Sequence, residues 1–174
     1  MLLLSLVSLA HAVNSNSKIL DGIEYYVETD KAIYQLGETV EMWYRITNLS
    51  TQNVTFTLPQ SPAWSFWVMK DSGQIWRGPG TVSDGETHFT LEPSQYRLCP
   101  EWGLPYAWNL HDTSGNPVGI GNYDIIGGLY DSWGTYDYTK VSVPVEIVPE
   151  PATIALLGLG LPFLRTLSTW RQKI

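Results

Sequence analysis

Cysteine is nearly absent from this chain: Cys99 is the single one in 174 residues, which excludes an intramolecular disulfide. At this length an apolar core supplies stability without covalent staples. Charge is scarce too, at 16% of residues against 44% hydrophobic, and that apolar content is too high for a disordered chain. Positive charge is the scarcest. Residues 13–151 hold all 17 acids but only seven of the ten bases, because Arg165, Arg171 and Lys173 lie near the C-terminus, so this stretch stands at −10. A field of that sign repels phosphate backbones and anionic headgroups, and nucleic acid is excluded as a natural partner.

Groups that carry chemistry are also few. His11 falls in an N-terminal apolar run, leaving His88 and His111 as the imidazoles of the body. No G-x-S-x-G elbow is present. Cys99 reads as part of a proline-flanked loop with no helix N-terminus to hold a thiolate. Two histidines and one cysteine, scattered singly, do not match zinc spacing. Asp112, Asp124, Asp131 and Asp137 do not form the ordered loop that calcium requires. The expectation is a protein without catalytic residues, metal or cofactor.

Helical stripes are missing before residue 150, and a period of two stands in their place. Ile23, Tyr25 and Val27 alternate with Glu24, Tyr26 and Glu28; Val40, Met42, Tyr44 and Ile46 alternate with Glu41, Trp43, Arg45 and Thr47; Val54, Phe56 and Leu58 alternate with polar residues. Each run predicts a half-buried strand. Turn residues separate the runs at Gly37-Glu38, Asn48 to Ser50, Asp71-Ser72-Gly73, Asp84-Gly85 and Ser114 to Pro117. Many short strands with regular turns predict an all-β, immunoglobulin-like antiparallel sandwich over residues 13–148.

Aromatic residues are plentiful, at 13% with eight Trp and ten Tyr. Parity puts Phe66, Trp76, Phe89, Tyr96 and Tyr123 on core faces, and Trp43 and Trp67 on the opposite faces. The segment Tyr130-Asp131-Ser132-Trp133-Gly134-Thr135-Tyr136-Asp137-Tyr138 is too polar and glycine-rich for a plain buried strand. Trp133, Tyr130, Tyr136, Trp43 and Trp67 are therefore the candidate binding aromatics, since exposed rings stack on sugars or receive a protein partner.

The two ends read as addresses. Leu2 to Leu9 are almost wholly apolar and lead into Ala10-His11-Ala12, whose small outer residues suit signal peptidase, with cleavage after Ala12. No Lys or Arg precedes the run, a departure that a translation start upstream of Met1 would explain. At the other end, Pro149-Glu150-Pro151 precedes the apolar stretch Ala152–Leu164 and then Arg165, Arg171 and Lys173. Residues 149–174 resemble the PEP-CTERM sorting signal of bacterial surface proteins. The resemblance implies recognition by a membrane sorting enzyme, exosortase, with transient membrane association through a helical tail. It also implies delivery to the cell envelope, surface or extracellular matrix. The two prolines hold Glu150 extended and outside any helix. The apolar stretch is shorter than the roughly 20 residues of a spanning helix, and Pro162 interrupts it.

The body carries a second resemblance. Tyr34-Gln35-Leu36-Gly37-Glu38-Thr39-Val40, a strand ending in Thr47-Asn48, Phe66-Trp67-Val68, the turn Asp71-Ser72-Gly73 and Ile75-Trp76-Arg77 are similar to the BsuPI domain, as are Leu91-Glu92-Pro93, Gly115, Val118 and Gly121 to Ile125. The likeness covers roughly residues 23–130. The family's Pro-Gly-Glu is Pro93-Ser94-Gln95 here, and either Trp102 or Trp108 matches its late tryptophan. BsuPI domains are named after a proteinase inhibitor. The resemblance thus implies a sandwich fold and an inhibitory activity, with Leu98–Pro105 as the candidate inhibitory loop. Three functions follow: a non-catalytic surface or exopolysaccharide-matrix protein, a protease inhibitor, and a polysaccharide-binding module.

Overall fold

The computed structural model describes residues 13–59, 61–79, 85–100, 103–130 and 136–150. Among the described residues the chain forms twelve strands: β1 (Asn14–Leu20), β2 (Ile23–Thr29), β3 (Ile33–Gln35), β4 (Val40–Asn48), β5 (Val54–Leu58), β6 (Trp64–Lys70), β7 (Gly73–Gly78), β8 (Thr87–Leu91), β9 (Tyr96–Cys99), β10 (Tyr106–Trp108), β11 (Gly121–Leu129) and β12 (Val141–Val148). A 3-10 turn, Asp137–Thr139, precedes β12. The structure is all-β, and its antiparallel sheets are consistent with a β-sandwich.

Two hairpins owe their tightness to left-handed turn residues. Leu20 faces Ile23 across Asp21 and Gly22 (φ 50° and 77°), and Lys70 faces Gly73 across Asp71 and Ser72 (φ 49° and 66°). Positive φ at both central positions matches the right-handed twist of the flanking strands.

One sheet has the order β1-β2-β4-β10, with β9 also pairing β4; the other has the order β3-β12-β11-β6-β7. All neighbours are antiparallel except β3 and β12. β5 and β8 form a separate ribbon whose Phe56 and Phe89 rings stack 4.9 Å apart. The alternating residues of β2 and β4 turn Tyr25, Val27, Met42, Tyr44 and Ile46 inward, where they share one core with Phe66, Val68, Ile125 and the odd-numbered residues of β12.

The two lateral edges of the sandwich close differently. On one side Asn14 and Asn16 of β1 donate from Nδ2 to the carbonyls of Pro144 (2.6 Å) and Ser142 (2.8 Å) on β12, so polar side chains occupy acceptors that a sheet edge leaves open. On the other side β7 and β10, an outer strand of each sheet, approach through the tilted rings of Trp76 and Tyr106, 5.9 Å apart. Gly78 makes this possible: a Cβ there would lie 2.2 Å from the Tyr106 ring and 2.4 Å from the Trp76 ring.

Phe66, Phe89 and Tyr123 are buried, and Trp76 is half-buried against the core. Tyr96 corrects the sequence reading. It pairs with Thr47, an outward residue of β4, and is 59% exposed. The register of β9 on β4 sets this parity, and no local pattern encodes it. Cys99 is likewise not a loop residue. It ends β9 opposite Tyr44 and is buried, while its neighbour Leu98, read as the start of an inhibitory loop, is a half-buried strand residue facing Arg45.

Candidate functional site

In the aromatic segment after β11 the candidate site is carried by the described residues Tyr136 to Tyr138, which hydrogen bonds of Thr139, just before β12, hold in place. Thr139 is buried; its Oγ1 accepts from the backbone N–H of Leu129 (2.9 Å) and donates to the carbonyl of Tyr136 (2.7 Å). The Tyr44 hydroxyl donates to the Thr139 carbonyl at 3.0 Å. These bonds fasten the 3-10 turn to the core and fix where Tyr136 and Tyr138 emerge. Trp133 lies outside the described residues, as do Pro151, Ala10, Ala12 and the apolar segments at both ends.

Tyr136 and Tyr138 stand 5.9 Å apart and edge an open cleft of about 360 Å³. Leu20, Asp21, Tyr25 and Phe56 are among the other residues that line it. The Tyr136 hydroxyl donates to the carbonyl of Thr57 at 2.7 Å, and the Tyr138 ring meets Tyr25 edge-on at 6.1 Å. Burial, and then the neighbouring Tyr138 phenol, push the Tyr25 phenol well above its ordinary value. Burial raises Tyr138 as well, although the residue is 44% exposed. The arrangement offers fixed, neutral rings and hydroxyls at a wet surface, which suits contact with the apolar face of a sugar. Of these aromatics the sequence singled out Tyr136. Tyr138 stands in the same aromatic segment but was not among the candidates, and Tyr25 and Phe56 were missed because the hairpin and the ribbon that supply them meet that segment only in the fold.

Tyr130 and Trp67 form a different cluster. Their rings lie 6.0 Å apart on the outer face of β6 and β11. The Arg77 guanidinium covers Tyr130 at 4.7 Å and donates to its hydroxyl at 2.8 Å, and Lys140 covers Trp67 at 4.6 Å while pairing with Asp137 at 2.6 Å. Gly128 leaves the space: a Cβ there would meet Lys140 Cγ at 2.9 Å and the Trp67 ring at 3.4 Å. Trp67 is therefore 6% exposed. Its direction is as the parity predicts, but it offers no open ring to a ligand, and that expectation is corrected.

Trp43 points outward from β4, half-buried, and faces Glu28 across the strand pair. Beside it Arg45 lies over the Tyr26 ring at 4.4 Å and reaches Glu24 at 3.4 Å. Tyr26 donates to Glu28. The structure thus brings Tyr136 into an open cleft, joins Tyr130 to a sealed Trp67, and leaves Trp43 on the face of the other sheet.

The remaining polar candidates do not assemble. His88 pairs with Glu86 (3.0 Å) and Thr57 (3.1 Å) on the exposed ribbon, while His111 sits on the loop after β10. Asp112 accepts from the backbone of Ser114 and Asn116, and bonds from Asn116 hold its carboxyl below the usual range. No group of three or more His, Cys, Asp or Glu gathers among the described residues. No helix among them is long and apolar enough to cross a membrane.

At the C-terminal end, the Leu36 N–H donates to the Val148 carbonyl at 3.2 Å, and Pro149 and Glu150 follow directly, Glu150 exposed. The cleft at Tyr136 lies at the opposite end of β12, an eight-residue strand about 25 Å long.

No family model and no curated protein matches the chain. Solved structures are similar at low identity. A β-glucosidase from Erythrobacter marinus aligns over 79% of this chain and 15% of its own, with 11% identity and a TM-score of 0.41. A β-glucosidase from Listeria innocua in complex with glucose aligns over 72% and 16%, with 13% identity and a TM-score of 0.38. A CARDB domain from Pyrococcus furiosus, in complex with di-metal ions, aligns over 79% and 92%, with 13% identity and a TM-score of 0.37. The chain spans 15–16% of the length of these β-glucosidases. Likeness at this level carries no functional argument.

Proposed function

We propose that this chain is an exported, non-catalytic cell-surface or exopolysaccharide-matrix protein. Its body is an immunoglobulin-like, BsuPI-like sandwich, and its C-terminal segment is a PEP-CTERM signal read by an exosortase-type enzyme. The observation that carries the reading is Pro149-Glu150-Pro151 followed by an apolar stretch and basic residues. Support comes from where the body stops. β12 holds its chain in the sheet to Val148, and the motif starts at the next residue. An extended, proline-held segment with an exposed Glu150 is a form that a processing cleft can take as a strand. The apolar stretch then enters the bilayer and the basic end stays cytoplasmic.

The test is the mass of the protein recovered outside a host that carries the sorting enzyme. The expected product ends near Pro151 and lacks residues 154–174. Glu150→Ala keeps both prolines but removes the charge that a cognate pocket would pair with, so it should accumulate uncut in the membrane fraction. Normal release of that variant would overturn the sorting reading.

A second reading, a polysaccharide-binding module, has one observation in its favour: the open cleft lined by Tyr25, Phe56, Tyr136 and Tyr138. It is compatible with the first, since matrix proteins act by holding polymers.

A further inference from the structure

We propose that a second cleft, on the opposite lateral edge from the Asn14 and Asn16 contacts, binds a neutral sugar ring. It has a volume of about 550 Å³ and is lined by Trp76, Arg77, Tyr106, Asn109, His111 and Asp112. It is distinct from the Tyr136 cleft and does not depend on the sorting tail.

The two walls come from different sources. One is aromatic: Trp76 and Tyr106, held side by side because Gly78 has no Cβ to separate them. The other is the loop of residues 109–117, which its own hydrogen bonds over-determine. Trp108 Nε1 donates to the His111 carbonyl (2.7 Å), Asp112 N–H to Asn116 (2.8 Å) and Val118 N–H to Leu110 (2.9 Å). Thr113 ties the loop to β7 by donating to the Ile75 carbonyl from both N–H (2.9 Å) and Oγ1 (3.1 Å). Leu110 is buried with φ 58°, a conformation bulky residues rarely adopt, and it stands between the two polar residues that the loop presents. A wall fixed in advance keeps the ordering cost of binding low.

Its polar groups are of two kinds, and the difference selects the ligand. The charged ones are engaged. The Asp112 carboxylate is taken up by Ser114 and Asn116, and the Arg77 guanidinium lies over Tyr130 and bonds its hydroxyl. The neutral ones remain available. His111 Nδ1 is 2.7 Å from the Asn109 carbonyl, which can only accept, so Nδ1 carries the proton and Nε2 of the neutral ring is an acceptor. Among the described residues no hydrogen bond engages Nε2 or the exposed Asn109 amide. Aromatic rings for the C–H face of a pyranose, an amide that donates and accepts, and an imidazole acceptor for a hydroxyl together match a neutral saccharide. Asp112 and Arg77 bring opposite charges to the lining, so the cleft has no net charge to favour a uronate or a phosphate over a neutral ring.

The test titrates the full chain calorimetrically with cellohexaose, mannohexaose and a hexagalacturonate. At least one neutral hexasaccharide should bind, and more tightly than the uronate. Asn109→Ala removes an exposed amide without disturbing the core, so it should leave the melting temperature unchanged and weaken binding about tenfold, the value of one good hydrogen bond. Tyr138→Ala, in the other cleft, should change the affinity less than about twofold. The proposal is overturned if no neutral probe binds up to about 10 mM, if the uronate binds best, or if Tyr138→Ala abolishes binding that Asn109→Ala leaves intact. Mass analysis of the sorted product is a separate measurement, so this site and the sorting reading fail independently.

Discussion

Trp43 and Trp67 begin alike and end differently. Both alternate with core residues on central strands and point away from the core. Yet Trp43 is half-buried beside Glu28, while Trp67 is covered by Lys140, Tyr130 and the bare backbone of Gly128. Part of the cause is pairing. β4 changes partner at Trp43, from β10 at residues 40–42 to β9 at 44–47, whereas Trp67 has a strand on each side, facing Arg77 and Ile126. Parity sets the direction of a side chain, and its neighbours across the sheet set its exposure.

The most drastic way to break this contrast removes the inner faces under both rings. Tyr44 and Tyr25 are buried, and burial raises their phenols well above the ordinary value; burial and the bond to Asp30 do the same for Tyr34. In the unfolded chain these phenols ionise near pH 10. Below that pH both states hold the proton and the stabilisation is complete. Above it the unfolded chain releases protons that the native state retains, so stability falls. Each such tyrosine should contribute up to about 1.4 kcal/mol of loss per pH unit above roughly pH 10. Far-ultraviolet circular dichroism should therefore show cooperative alkaline unfolding; Tyr44→Phe, which also gives up the bond to the Thr139 carbonyl, should start less stable but lose stability less steeply above roughly pH 10. Ionisation of every tyrosine at pH 10 with the fold intact would contradict the buried assignment.

Substitution tests the contrast itself. Trp67→Ala opens a sealed site and should cost about 3–5 kcal/mol. Trp43→Ala gives up a ring already half in water and should cost about 1–2 kcal/mol. Urea denaturation of the two variants, compared at equal slope, measures the difference. Equal costs would mean that the cover over Trp67 contributes nothing.

What the sequence made legible follows the same division. The runs starting at Ile23, Val40 and Val54 became β2, β4 and β5 because strand periodicity is local. The turns at residues 71–73 and 114–117 were readable for the same reason. Tyr96 was misplaced because the register of a four-residue strand on β4 depends on the partner. The shielding of Trp67 was hidden because its covers, Tyr130 and Lys140, lie far along the chain. Both clefts are assembled from separate strands and loops, so no short motif announced them; the sequence named Tyr136, Trp76, His111 and Asp112 one by one, without the fold that sets Trp76 across a cleft from His111 and Asp112.

The smallest expected effect separates charge from cover in the lid over Trp67. The Lys140 stem crosses Gly128, and its ammonium lies over the Trp67 ring while pairing with Asp137. Lys140→Met keeps an apolar stem of similar reach and removes only the charge. The ion pair is largely exposed and contributes little, so the loss should be about 0.5–1 kcal/mol, mostly the cation over the ring. Added salt should narrow the gap between Lys140→Met and the parent, because it screens the pair in the parent alone. Lys140→Ala removes the stem as well and should cost measurably more, with Trp67 emission shifting to the red as water reaches the ring. If the two variants cost the same, the charge and not the stem holds the cover. If neither costs anything, Tyr130 and Arg77 are sufficient to seal Trp67, and the contrast with Trp43 rests on strand pairing alone.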